Sequence, residues 1–164
     1  MNAGRILAAI ALLAGSANVA TAQTTTQTVT FAVNAINRIS VSGPASLTIN
    51  TATAGSAPTS ASTAGLTWAI TTNQTNQKVT AELTAESGGN MPSGLTLNAT
   101  LAAPSVGASD GAVSLSTTPV RVISGLTQVA QSGMALTLSL DATVAAGVVA
   151  SATRDILYTV TTGP

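Results

Sequence analysis

The sequence contains no cysteine and no histidine, and its charged and aromatic side chains are few. Without cysteine the chain can form no disulfide and can bind no metal through thiolates. Without histidine it lacks the commonest general base and every Ser-His-Asp or Cys-His arrangement. These absences predict a protein that is not an enzyme and that needs neither a cofactor nor a metal.

Cationic side chains beyond residue 22 are few and scattered: Arg38, Lys78, Arg121 and Arg154. Nucleic-acid binding needs clustered Lys and Arg to displace counterions, so it is excluded as a function. The predicted surface is instead rich in Thr, Ser, Asn and Gln. Such a polar but uncharged surface fits a protein outside the cell, where its faces can meet other copies of the same chain.

The N-terminus has the three parts of a secretory signal peptide. A start with one arginine, Arg5, precedes an apolar run at 6–15 that is too short to span a bilayer, and Ala20 and Ala22 supply the small residues of a cleavage site. We therefore expect residues 1–22 to be removed and residues 23–164 to form one domain that is secreted or held at the cell surface. No other segment is apolar enough to span a membrane. Export without disulfides favours a bacterial source.

The clearest structural signal is residues 134–144, in which every even position is apolar and every odd one is small or polar. Side chains on a strand alternate between its faces, so the pattern predicts a strand with one buried and one solvated face. At about 3.3 Å per residue it would extend roughly 35 Å.

The same alternation recurs along the chain and predicts nine or ten strands with no convincing helix. A turn is expected at Ser124 and Gly125, with a polar connection up to Gly133. The pattern predicts an antiparallel sandwich of two sheets, immunoglobulin-like in the broad sense; the alternative is one sheet closed on itself. The other predicted strands are 28–35, 45–49, 66–71, 78–86, 95–101, 113–115, 120–123 and 155–161.

The predicted first strand, 28–35, has Val29, Phe31 and Val33 on one face and follows a polar N-terminal tract. Ile36 breaks the alternation, which resumes at Ile39 and Val41, and this indicates a bulge or kink near residues 34–38. We expect the segment either to pair within its own domain or, as an exchangeable strand within residues 23–35, to complete the sheet of a neighbouring copy. Val29, Phe31 and Val33 are thus the candidate self-assembly residues.

Two further candidate sites are weaker. Trp68 shares a face with Leu66 and Ile70, which favours a core position, although an exposed ring would be a stacking platform for a sugar. Asp141 and Asp155 flank a Gly-containing connection and could form a calcium corner, but two carboxylates without an Asx-rich loop are a weak signal.

The signal peptide, the Thr-rich strands, the missing Cys and His and the Gly-containing connection before residues 155–160 resemble secreted bacterial Ig-like β-sandwich surface proteins of the pilin or fibre-subunit type. The resemblance covers most of the mature chain as a pattern, without a signature motif, and departs from chaperone–usher pilins in lacking their disulfide. It implies a structural or adhesive protein whose partners are other copies of itself or other surface proteins and glycans. The alternative is a secreted carbohydrate- or protein-binding module that uses Trp68 and the long loops.

Cleavage before Gln23 can be tested directly. The intact mass of the exported protein should correspond to residues 23–164, because signal peptidase cuts after the small residue at −1. An exported protein that keeps the mass of the full chain would contradict the predicted localisation signal.

Overall fold

The structure is a computed structural model that describes residues 22–163. The chain divides into two units, Met1–Ala32 and Val33–Pro164. In the first unit the described residues, 22–32, belong to no helix or strand. The predicted signal peptide lies, except for Ala22, outside the described residues.

The second unit is built from strands, with one short 3-10 turn at Val144–Ala146. Five of its strands have seven residues, one has fourteen, one has five, and three have only two. Their bounds are β1 Asn37–Val41, β2 Ala61–Ser62, β3 Leu66–Thr72, β4 Gln77–Leu83, β5 Leu95–Leu101, β6 Ala108–Ser109, β7 Val113–Ser114, β8 Val120–Leu126, β9 Val129–Ala142 and β10 Ile156–Thr162.

These strands form two antiparallel sheets. The first has the order β1-β3-β9-β5-β7, with β2 also paired to β9, and the second has the order β10-β4-β8-β6. Aliphatic side chains from the inner faces of both sheets make one core. The predicted two-sheet antiparallel sandwich is confirmed, and the alternative of one closed sheet is wrong.

Every connection from β3 to β10 crosses from one sheet to the other, because β3, β5, β7 and β9 belong to the first sheet and β4, β6, β8 and β10 to the second. Consecutive strands in most proteins pair or lie side by side. Here each strand from β3 onward pairs only with strands that are two or more positions away in chain order. No hairpin turn can therefore hold a pair of these strands together on its own.

The long strand β9 is the centre of the first sheet, between β3 and β5. Its residues Met134, Leu136 and Leu138 are buried, as the alternation predicts. The predicted connection before Gly133 is wrong, since β9 begins at Val129 and accommodates Gly133 in a bulge between the pairs Trp68–Met134 and Ile70–Gln131. Gly133 has φ +70°, a conformation that glycine adopts at no steric cost and that typifies such bulges.

The predicted turn at Ser124 and Gly125 is also wrong, because both residues lie inside β8. The chain leaves the second sheet two residues later, at Thr127 and Gln128, and Gln128 takes the positive φ of 44° that this corner requires. Glycine is permitted in such a corner but is not required to mark it. The prediction that relied on Gly125 therefore placed the turn too early in the sequence.

Two predicted strands do not form. Residues 28–35 belong to no sheet, and the first strand is instead β1, which begins at Asn37. Residues 45–49 also lie outside both sheets, although Leu47 packs against the core. Alternation shows that one face of a segment is apolar, but a strand also needs a neighbour with free backbone groups, and that neighbour is a tertiary feature.

Neighbouring residues on β9 test the sandwich register. Leu136 is 4% exposed between the sheets, whereas Ala135 faces outward. Leu136→Asp should lower the free energy of unfolding by more than about 3 kcal/mol, because it buries an unpaired charge. Ala135→Asp should cost no more than about 1 kcal/mol. Equal losses in a denaturant titration would contradict this register.

Candidate functional site

The most distinctive feature of the sandwich is the seam between the edge strands of its two sheets. β1 is the edge of the first sheet and β10 the edge of the second, and the two strands contact one another on the same side of the sandwich. Each pairs with a neighbour on one side, β3 and β4 respectively, so neither uses its outer edge in a sheet. The two ends of this seam are different.

One end, which we call the closed end, is sealed by polar side chains. The side-chain amide of Asn37 donates to Gln77 Oε1 at 3.2 Å and Asn37 Oδ1 accepts from Thr72 Oγ1 at 2.6 Å. Gln77 Nε2 in turn donates to Thr162 Oγ1 at 3.3 Å. Thr72 and Gln77 are buried, so these bonds satisfy groups that have lost water and tie β1 and β3 to β4 and β10.

Asn73 fixes the chain just before β1 to this closed end. Its Oδ1 accepts from the Ile36 amide and its Nδ2 donates to the Asn34 carbonyl, both at 2.8 Å. The Asn73 amide also donates to the Ile36 carbonyl at 3.2 Å. Asn34 and Ile36 are thus fixed beside Asn73 immediately before β1. The break in alternation at Ile36 coincides with this anchor.

The opposite end of the seam, the open end, contains two adjoining clefts of about 760 and 410 Å³. They share Leu47, Met91, Leu140, Ala152 and Arg154. The smaller cleft reaches from Val41 and the residues after β1 to Ile156 and Tyr158 on β10. Most of the side chains in its walls are aliphatic. The open end therefore exposes part of the core to solvent.

The wall of the larger cleft that follows β9 is held by a close backbone contact. The Thr143 amide donates to the Gly94 carbonyl at 2.8 Å. A Cβ at Gly94, which has φ +82°, would lie 2.7 Å from the backbone nitrogen of Ala146, so any other residue would push this wall away. Val144 and Val148 on the same connection remain exposed.

Arg154 borders both clefts and is held by backbone carbonyls. Its guanidinium donates to the carbonyls of Asn90 and Ser87 at 3.3 Å and of Thr153 at 2.8 Å. Gly88 makes room for it, since a Cβ there would lie 2.8 Å from Arg154 Nη1. These bonds hold the Arg154 guanidinium against the loop between β4 and β5. The remaining walls of the open end are mainly apolar.

Tyr158 carries the unusual polar group of the smaller cleft. Its hydroxyl is buried and has no hydrogen-bond partner among the described residues. Burial raises the pKa of the Tyr158 phenol to about 12, because the charged phenolate loses its solvation. Buried hydroxyls normally have a partner, so this one is an exception among the described residues.

The candidate residues from the sequence fall in different places. Val29, Phe31 and Val33 are 70, 89 and 81% exposed. Trp68 is 1% exposed and belongs to the core, so its ring offers no stacking platform here. Sequence reasoning missed Tyr158 as a site residue, because its position in the alternation of β10 predicts a core residue and carries no sign of an unpartnered hydroxyl.

Asp141 and Asp155 take part in separate hydrogen bonds. Asp141 on β9 accepts hydrogen bonds from the Ser60 hydroxyl and from Asn98 Nδ2, the latter at 2.7 Å. Near Asp155, the Ser87 hydroxyl accepts from its backbone amide at 2.7 Å. Within residues 22–163, no group of three or more His, Cys, Asp or Glu side chains could hold a metal ion. Asp141 thus joins β5 and the residues before β2 to β9.

Comparison of the chain with protein-family models, curated proteins and solved structures found no match. Over the part of the chain that the structure describes, no helix has the length and apolar character needed to cross a membrane. The inference of function therefore depends on the residues themselves.

Tyr158 is the one tyrosine of the chain, so a spectroscopic pH titration reports on it alone. Tyrosinate absorbance should appear with a midpoint near pH 12 in the folded protein, and near 10 after unfolding in denaturant. Because the folded pKa lies above the unfolded one, stability should be constant below about pH 9 and fall between about pH 10 and 12. A folded-state midpoint near 10 would contradict the buried hydroxyl.

Proposed function

We propose that this protein is a secreted, non-enzymatic structural or adhesive component of a bacterial cell surface or matrix, and that it assembles with other copies of itself through residues 28–35. The observation that carries the proposal is the exposure of Val29, Phe31 and Val33 in a segment that belongs to no sheet. Contiguous apolar side chains at a surface mark an interaction site. The signal-peptide pattern and the polar, uncharged composition support a location outside the cell.

The alternation of the segment supports a strand as its bound form. Val29, Phe31 and Val33 share one face in an extended chain, with Thr28 and Thr30 on the other. Such a segment can add to a sheet edge, where backbone hydrogen bonds supply affinity and alternate side chains supply specificity. Its sequence from 28 to 36 contains neither Gly nor Pro, which strands disfavour.

The energetics support assembly that depends on concentration. Burying a Val or Phe side chain is worth about 1.5–3 kcal/mol, so the three together supply roughly 5–9 kcal/mol. Association costs at least about 4 kcal/mol, and each backbone hydrogen bond returns about 0.5–1.5 kcal/mol. The balance is favourable but modest for one strand, as expected of a subunit that is exported as a monomer and assembles where it is concentrated.

The rival function, a carbohydrate- or protein-binding module, has less support. It relied on Trp68 and the long loops as the contact surface, and the Trp68 ring is buried in the core. The apolar side chains that are exposed in 28–33 are aliphatic except for Phe31 and fit a protein strand better than a sugar ring.

Assembly through this segment is tested by Phe31→Asp in the mature chain. Multimers seen by light scattering at rising concentration should disappear, because the charge cannot enter an apolar site. The melting temperature at high dilution should not change, since Phe31 is exposed and lies outside the sheets. Thr30→Asp, one residue away on the opposite face, should still assemble. A wild-type chain that stays monomeric at high concentration would overturn the proposed function.

A further inference from the structure

The connection between β6 and β7 contains the one place in the chain where an Asp or Asn precedes a glycine, Asp110 followed by Gly111. Such a pair is prone to isomerise, because glycine has no side chain to hinder attack of its amide nitrogen on the preceding carboxyl carbon. Gly111 has φ +75°, and a Cβ built on it would have nothing within 4 Å. Neighbouring atoms therefore do not block the reaction sterically.

The reaction would change the backbone and not only a side chain. The Gly111 nitrogen bonds to Asp110 Cγ, while the amide proton and the carboxyl OH leave as one water, which closes a five-membered succinimide ring. Water then opens the ring. Where it breaks the bond between the nitrogen and the main-chain carbonyl carbon, the chain continues through Cβ and Cγ as isoaspartate. The water lost in the first step is regained in the second, so no other reactant is needed.

In the folded protein each of the two reacting groups is held by another residue. Arg121 on β8 donates from Nε to Asp110 Oδ2 at 2.7 Å and from Nη2 to Asp110 Oδ1 at 3.2 Å. Two bonds from the planar guanidinium fix the plane of the carboxylate, so Cγ is not free to turn toward the Gly111 nitrogen. The Gly111 amide donates instead to Ser109 Oγ at 3.1 Å. The nitrogen and the carboxylate are thus directed to different partners.

We infer that Asp110-Gly111 is a site of aspartate isomerisation and that the Arg121 ion pair and the Ser109 hydroxyl suppress the reaction in the folded chain. The pair lies at the surface, with the side chain of Arg121 45% exposed and that of Asp110 23% exposed. Surface pairs of this kind add little to the stability of a fold. The main consequence of this one is to restrain the carboxylate beside a glycine. Asp110 also raises the pKa of the Arg121 guanidinium, mainly through the hydrogen bond, so the cation persists at neutral pH.

Isomerisation would matter here because β6 is the outer strand of the second sheet and covers the edge of β8. Only two residue pairs and the hydrogen bond from the Asp110 amide to the Val122 carbonyl, at 3.1 Å, hold it there. Isoaspartate would add a methylene to the main chain directly after this bond and replace the carboxylate that Arg121 binds. An uncovered edge of β8 would be a template for pairing with another chain. Suppressing the reaction therefore keeps this edge covered.

The test measures isoaspartate at residue 110 in the purified chain 23–164 held for weeks at neutral pH, by methylation with an isoaspartyl methyltransferase and by fragmentation of the peptide that contains it. A synthetic peptide of residues 106–114 should isomerise fastest and the wild type several-fold more slowly. Arg121→Gln and Ser109→Ala should each lie between the two, with unchanged melting temperatures. Arg38→Gln, which removes an exposed arginine from β1, is the matched control and should behave as the wild type.

High salt provides a second measurement that needs no substitution. About 1 M NaCl shortens the Debye length to about 3 Å, so it should speed isomerisation in the wild type and leave Arg121→Gln and the peptide unchanged. A wild type that isomerises as fast as the peptide, or an Arg121→Gln variant as slow as the wild type, would overturn the protective role. Isoaspartate at Asp141 or Asp155 and not at Asp110 in Arg121→Gln would overturn the site. These readings do not depend on assembly, so the proposed function is tested separately.

Discussion

The packing of aliphatic side chains between the two sheets is the interaction on which the rest of the structure depends. No disulfide links the sheets, and the strands from β3 onward never pair with the next strand along the chain. Because each connection from β3 onward carries the chain across the core, paired strands within a sheet are separated in sequence by a strand of the other sheet. Folding must therefore close long loops before any pairing repays their entropy.

That core is made without much aromatic area, which has consequences at its edges. Val, Leu, Ile, Ala and Met fill the space beneath the central strands, and Trp68 is the large side chain at the centre. Toward the start of β10 the same layer thins, so that Leu140, Ile156 and Tyr158 are partly exposed. At the open end, the apolar side chains of this chain thus leave the inner faces of the two sheets partly uncovered.

The two ends of the seam between β1 and β10 differ in polarity. At the closed end, Asn37, Thr72, Gln77 and Thr162 join the edge strands through satisfied polar groups. At the open end lie the apolar clefts and the Tyr158 hydroxyl, which has no hydrogen-bond partner within residues 22–163. At the closed end, Asn73 also anchors Asn34 and Ile36, which precede β1.

The alternation of residues by itself determined the class of fold, the positions of β3, β4, β5 and β10 to within about three residues, and the burial of Met134, Leu136 and Leu138. It could do so because one buried face imposes a period of two on a strand whatever its partner is. It also singled out Val29, Phe31 and Val33, yet predicted a strand there that does not form in the isolated chain. Only the tertiary structure decided which strands pair, that Gly133 makes a bulge instead of ending a connection, and that Tyr158 lines an open cleft. Those features depend on residues far apart in sequence meeting across two sheets, and a local pattern carries no information about which distant segment supplies the missing partner.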